Sequence, residues 1–417
     1  MTKKEILKLQ NLANTVRSFS ETYINEKHKG LWKSMNDNNM TIPTVLARDY
    51  PIALLNINDE LTPTIEDPFF RQVELDLLLK IYEWKHMRCH RVLEPVIYCQ
   101  ASISDDRFGI KMSAPEQDEL LHHNGFNTAR HFDRQIKQIE DLDKIKSPVI
   151  QYDEETTAEH YEAMQDIFGG ILAVKLHGID HFLFAPWDDL MSWMGFEEGL
   201  MDLVLQPEMM HAAIRRYVDF SIVRAKEYEL LGLVSSNNTN ALVGQGGYGY
   251  CSTLPLPTES GIGAKLEDNW GDARDQIFTS VSPDMTNEFA FRYEKDWLDL
   301  FGLNYFGCCE NLYPKLDGLK QLPKLNKVSL SPYAPIEETM ERVNGEMIIS
   351  FKADSIHLTG SKWNREELRK EIIDACSAAN RYHCSMEIIM KTIITLNNDP
   401  KRLWDWCELA VDIVENY

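Results

Sequence analysis

From about residue 95 onward, short β-branched or apolar runs alternate with long segments of helical periodicity, which restricts the chain to parallel strands linked by crossover helices. The candidate strands are 95–99, 148–152, 171–176, 241–244, 304–308, 327–330, 347–351 and 386–390. Helices are predicted to begin near Pro207, Pro283, Ile336 and Arg365, several of them introduced by proline or by acidic side chains in the first turn. A last helix covers 400–414. Eight strands with intervening helices over roughly 300 residues predict a (β/α)8 TIM barrel, an α/β fold, in preference to an open doubly wound sheet. No GxGxxG follows the first strand, and the glycine-rich run 244–250 lacks the Lys-Ser/Thr that a phosphate cradle requires.

The first 90 residues read differently. Over 3–34, Ile6, Leu9, Leu12 and Val16 recur at three- and four-residue steps, as on one face of a helix. A Pro- and Asn-rich stretch, 36–68, precedes a second helix over 72–87, with Val73, Leu77, Leu78, Ile81 and Trp84 on one face. The predicted organisation is therefore an N-terminal helical extension and cap over 1–90 and a barrel over 91–417.

Composition narrows the partners. With 65 acidic against 43 basic side chains in 417 residues, the net charge is −22. Nucleic acid and anionic membranes are poor partners for such a chain, because affinity for polyanions comes from clustered Lys and Arg. No apolar run approaches the roughly 20 residues that span a bilayer, and the charged, helical start does not resemble a secretion signal. A cytoplasmic location is the expectation. Eight scattered cysteines do not suggest a disulfide framework at this size. The adjacent pair Cys308 and Cys309 stands out, since the thiolate is the active form of cysteine both as ligand and as nucleophile.

In a barrel, functional residues gather at the carboxyl ends of the strands. That rule selects Cys99, Gln100, Lys175, His177, Gln245, the Cys308-Cys309-Glu310 run, Ser331, Lys352 with Asp354, and Lys391. Cys384 precedes its strand and falls at the opposite end, while Cys376 and Cys407 lie in helices as core fillers. Two thiols and a carboxylate at one strand end form a donor set that suits zinc. Alternation along a strand would send Cys309 to the face opposite Cys308 and Glu310 unless the chain turns after Gly307, and the same run also reads as barrel wall. His177 fits a metal ligand or an acid/base group and equally a hydrogen-bonded structural residue. Lys352 could hold an anionic group and Asp354 orient a ligand, or the two could form a salt bridge. Trp187, Trp193, Tyr248, Tyr250 and Trp270 either line a pocket or pack helices onto the barrel. His90 lies at the wrong end of its strand, and His122 and His123 fall in a polar, solvent-facing stretch.

At Val281-Ser282-Pro283-Asp284-Met285, at Gly307-Cys308-Cys309-Glu310-Asn311, and at Glu387-Ile388-Ile389-Met390-Lys391 through Asn398-Asp399-Pro400, the chain resembles the uroporphyrinogen decarboxylase-like superfamily. It is more similar to the corrinoid-dependent methyltransferase branch than to the decarboxylase. The resemblance implies a (β/α)8 barrel that moves a methyl group from a small methylated ether or amine to a separate corrinoid protein, assisted by zinc. It implies Cys309 and Glu310 as metal ligands; with the strand-end residues, the candidate set is Cys309, Glu310 and Cys308 for the metal, His177, Lys352 and Asp354 as catalytic groups, and Gln245, Tyr248, Trp270 and Ser331 around the substrate. The branch that activates thiols carries a His-x-Cys motif, and here Gly307 occupies the histidine position. The alternative within the superfamily is decarboxylation of a tetrapyrrole-type or other anionic substrate held by Lys352 and Arg48. Arg48 is isolated, however, where the decarboxylase has an arginine-rich segment. A third alternative is a non-enzymatic corrinoid- or tetrapyrrole-binding module. No Asp-x-His-x-x-Gly segment is present, so any corrinoid would come from a partner, and the N-terminal helices could serve as a homodimer contact.

Overall fold

The structure is a computed structural model that describes residues 1–110 and 134–417; His122 and His123 lie outside the described residues. Ten strands occur in it: β1 (Thr44–Ala47), β2 (Val96–Gln100), β3 (Ser102–Asp105), β4 (Ile150–Asp153), β5 (Ala173–His177), β6 (Trp270–Ala273), β7 (Leu303–Phe306), β8 (Leu325–Leu330), β9 (Ile348–Ala353) and β10 (Met386–Met390). Six of them form one parallel sheet in the order β1-β10-β9-β8-β7-β6. Most of these strands are buried along their whole length, as expected where helices cover one face and packed side chains fill the other. β2 pairs in parallel with β5, and β3 pairs antiparallel with β4.

The backbone ladder stops at β1 and at β6, and at both stops a side chain takes over. His90 donates its backbone N–H to the Val45 carbonyl at 2.9 Å, and its ring Nδ1 accepts the Val45 N–H at 3.0 Å. Burial drives the His90 pKa down to about 3, so the ring is neutral and Nδ1 is free to accept. At the other stop, the Asn237 amide donates to the Trp270 carbonyl and accepts the Trp270 N–H, both at 2.9 Å. Residue 234 beside it forms a parallel bridge with Ile179, just beyond β5. The predicted barrel is thus met as an α/β arrangement around a six-stranded parallel sheet, without a continuous eight-strand ladder among the described residues.

Several predicted elements change. The run 241–244 is not a strand: Leu242 bridges Tyr248 across a tight turn made by Gly244 to Gly247. The run 148–152 becomes the antiparallel strand β4 and stands outside the parallel sheet. Strands β1, β3 and β6 are additional; β6 reads Trp-Gly-Asp-Ala, with little β-propensity, and β1 is only four residues long, too short for its pattern to stand out. β1 belongs to the first 90 residues and still pairs with β10 in the main sheet. The N-terminal helical run divides into Lys3–Ser20 and Tyr23–Asn36, and the next helix is Pro68–His86, capped by the Asp67 side chain on the Phe70 N–H.

Leu9, Ala13 and Val16 of the first helix pack with Leu77 of the Pro68–His86 helix and Met164 of the Glu154–Phe168 helix over the outer side of β2 and β5. Opposite this layer, the inward positions of β7 to β10 carry polar groups. Lys327 and Glu387 form a fully buried ion pair at 2.9 Å, and Ser350 donates to the same carboxylate. The glycine-rich turn closes onto this cluster. A Cβ at Gly246 would stand 2.2 Å from a Glu387 oxygen and 3.1 Å from the Tyr305 ring, so only glycine fits there.

Candidate functional site

The chemistry is concentrated where β7 and β10 end. Gly307 follows β7 with φ of +103°, a conformation natural to glycine, and the chain turns there. The turn lets Glu310 fold back. Its carboxylate accepts the Cys308 N–H at 2.7 Å and the Asp275 N–H at 3.4 Å. The two thiols are brought to 3.6 Å of each other, and Lys391, the residue after β10, places its Nζ 3.3 Å from the Cys308 sulfur and on the Gln245 side-chain carbonyl.

Electrostatics divide the two thiols. The Cys308 hydrogen bond and the Lys391 charge pull the Cys309 thiol down to about 6, against the opposing effect of burial. Cys308 shifts well upward, because it donates to Cys309 and is itself buried. One negative charge is therefore shared by the pair, mostly on the half-buried Cys309, with the buried Lys391 as its counter-ion.

Below the thiols, Lys352 donates to the Tyr305 hydroxyl at 3.0 Å and to Ser350. Burial presses its ammonium down to about 7, and the nearby Lys391 and Arg48 charges add to this while Glu387 opposes it. Glu387 stays below the usual carboxylate range despite burial, because Lys327, Lys352 and Ser350 together outweigh desolvation.

Beside the thiols is a buried acidic group. Burial raises Asp188 to about 6 and Asp275 to about 7, and raises Glu294 still further because Asp275 repels it. No donor group of the described chain bonds the carboxylate oxygens of Asp275 or Glu294, and burial together with their mutual repulsion favours protonation of the pair. Lys315, the nearest cation to act on both, spends its hydrogen bond on the Phe278 carbonyl at 2.6 Å. A second acid/base pair is His181 with the buried Asp272, at 3.4 Å.

The predicted residues divide between these places. Cys308, Cys309, Glu310 and Gln245 meet at the strand ends, and Lys352 lies beneath them. Asp354 does not pair with Lys352: it caps the turn at Ile356 and donates its N–H to Glu371. Ser331 accepts the Tyr333 N–H in its own turn. Tyr248 packs on Trp32 with ring centroids 5.2 Å apart, and Trp270 donates to the Gly249 carbonyl while its ring faces Lys327. His177 lines a separate cavity with Tyr98 and Lys175. Arg48 donates to the carbonyls of Gly244 at 3.1 Å and Gly246 at 2.7 Å, which holds the glycine-rich turn in place.

The ligand set for zinc does not converge. Among the described residues no group of three or more His, Cys, Asp or Glu side chains could hold a metal ion. Lys391 occupies the Cys308 sulfur, both Glu310 oxygens serve backbone N–H groups, and His177 belongs to the other cavity. The residues as placed do not fit the metal that the resemblance implies.

Sequence reading missed His181, Asp272, Asp275 and Glu294. Asp272 and Asp275 would have been found had 270–273 been recognised as a strand, since they lie at its carboxyl end; Glu294 lies mid-helix, with no pattern to mark it.

No known family profile matches the chain, and no curated relative is found. Among solved structures it is similar to a methyltransferase from Methanosarcina mazei, with a TM-score of 0.53 and 9% identity over 93% of this chain and 98% of the other. A likeness at that identity shows the fold. No described helix is long and apolar enough to cross a membrane.

Proposed function

We propose that this chain is a methyltransferase that takes a methyl group from a small methylated ether or amine and passes it to a separate corrinoid protein in the cytoplasm. The observation that carries the reading is the Lys391 ammonium held between Gln245 and the Cys308-Cys309 pair, at strand ends of a fold similar to that of a named methyltransferase. In methyl transfer the carbon–heteroatom bond breaks, its electron pair stays on the oxygen or nitrogen, and a proton must reach that atom. Lys391 supplies the proton, and Gln245 and the Cys308 sulfur orient its Nζ. The proton from Lys391 does the work that a Lewis acid would otherwise do, since the donors for zinc do not converge among the described residues. The decarboxylase alternative has less support: Arg48 is spent on backbone carbonyls, and Lys352 is buried beneath the thiols.

The test is methyl transfer from a panel of methyl ethers and methylamines to an added corrinoid protein. Lys391→Met should lower the rate by about 10²–10⁴, the usual weight of a positioned acid, with secondary structure unchanged. No transfer from any donor, or full activity in Lys391→Met, would overturn the reading. Elemental analysis of wild type, Cys309→Ala and Glu310→Gln tests the zinc-assisted form: one zinc per chain lost in either variant would require Lys391 to leave Cys308.

A further inference from the structure

A cavity of about 440 Å³ lies against the inner side of β2 and β5, and none of the groups assigned to methyl transfer lines it. Its floor follows from strand register. Tyr98 stands opposite Lys175, and both point away from the apolar layer that buries Ile97 and Val174. His177 lies two residues along the same face, roughly 7 Å further toward the strand's carboxyl end. Asp180 follows there, with Oδ2 3.6 Å from His177 Nε2. The segment beyond the cavity is pinned to β5 by the Leu176 N–H on the Ser260 carbonyl, at 3.0 Å.

Two charges of this cavity, Lys175 and Asp180, have no fixed charge of opposite sign against them. The Lys175 Nζ reaches the Thr258 carbonyl at 3.4 Å and, among the described residues, no carboxylate pairs with it. Asp180 faces His177 and nothing of opposite fixed charge. Lys175 and Asp180 line the cavity together with the Tyr98 ring and the side chains of Ser236 and Thr239, and the remaining carboxylate, Glu94, accepts the Tyr250 hydroxyl at 2.7 Å and faces Lys29 at 3.6 Å, so the cation and Asp180 are left to complement a molecule that carries both charges.

We propose that this cavity binds a small amino-acid-type zwitterion, its carboxylate on Lys175 and its cationic nitrogen against Asp180 and Tyr98. Such a ligand answers both protein charges, whereas either half alone would leave one charge of the cavity unanswered.

Isothermal titration calorimetry on the full chain tests this with three compounds: glycine betaine as the zwitterion, acetate as the anion alone and tetramethylammonium as the cation alone. Glycine betaine should bind with a Kd of about 1 mM or tighter, and acetate and tetramethylammonium each about tenfold or more weakly, the loss expected for one charged contact. Lys175→Met and Asp180→Asn should each weaken glycine betaine to the level of the half-ligands. Equal binding of acetate and glycine betaine, or no heat from any of the three, would overturn the proposal. The comparison of the three compounds uses wild-type protein, so it stands even if a variant fails to fold, and it does not depend on methyl transfer.

Discussion

Cys309 is the one cysteine of the strand-end pair whose thiol is shifted toward the reactive thiolate. Its thiol is lowered to about 6 by the Cys308 hydrogen bond and Lys391, so the thiolate predominates above that pH, whereas an ordinary cysteine would still be protonated at pH 7. Alkylation by iodoacetamide, followed by mass spectrometry of the peptide that contains Cys309, should therefore rise with a midpoint near pH 6 and level off above pH 7. Lys391→Met removes the counter-ion and should move the midpoint upward. A rate that begins to rise only above pH 8 in wild type would sink the shared-thiolate picture. At this scale the sequence was informative: the pair Cys308-Cys309 and the strand-end position of Lys391 were both visible in it. The contact between them was not, because they are 83 residues apart and meet only through the pairing of β7 to β10.

Among elements, the periodic ones were legible and the short ones were not. Helices such as Pro68–His86 and Lys401–Asn416 announce themselves by an apolar stripe, and β9 and β10 by apolar runs with β-branched residues. β6 hides because Gly271 and Asp272 are poor strand formers; it is held as a strand by pairing with β7 and by the Asn237 amide. Asn237→Ala would orphan the buried N–H and C=O of Trp270 together with the Asp180 carbonyl that the same amide serves. At roughly 1–3 kcal/mol for an unsatisfied buried group, the expected loss is about 3 kcal/mol or more in denaturant unfolding, with faster hydrogen exchange at Trp270. A loss below about 0.5 kcal/mol, the size of an ordinary surface change, would show that the junction does not depend on this side chain.

For the whole molecule, the excess of 22 negative charges opposes the compact state. Long-range repulsion is screened by salt, with a Debye length of roughly 10 Å at 0.1 M and 3 Å at 1 M. The melting temperature should therefore rise as sodium chloride is raised from low millimolar to about 0.5 M. A fall would mean that the local pairs, Lys327 with Glu387 and Lys391 with the thiols, outweigh the net repulsion, which their burial argues against because buried pairs are screened least.

The sequence by itself determined the α/β class, the crossover helices, the cysteine pair at a strand end and the large excess of negative charge, because each follows from local pattern or from a sum over residues. Tertiary structure alone decided which charged groups meet. Lys391 reaches Cys308 where the resemblance had implied a metal, Glu294 is buried beside Asp275, which raises its pKa, and His177 stands in a cavity apart from the thiols. The physical reason is that a buried charge must be answered by a partner, and in this chain the partners come from strands and helices far apart in sequence, so their identity depends on sheet order and register, which no local pattern encodes.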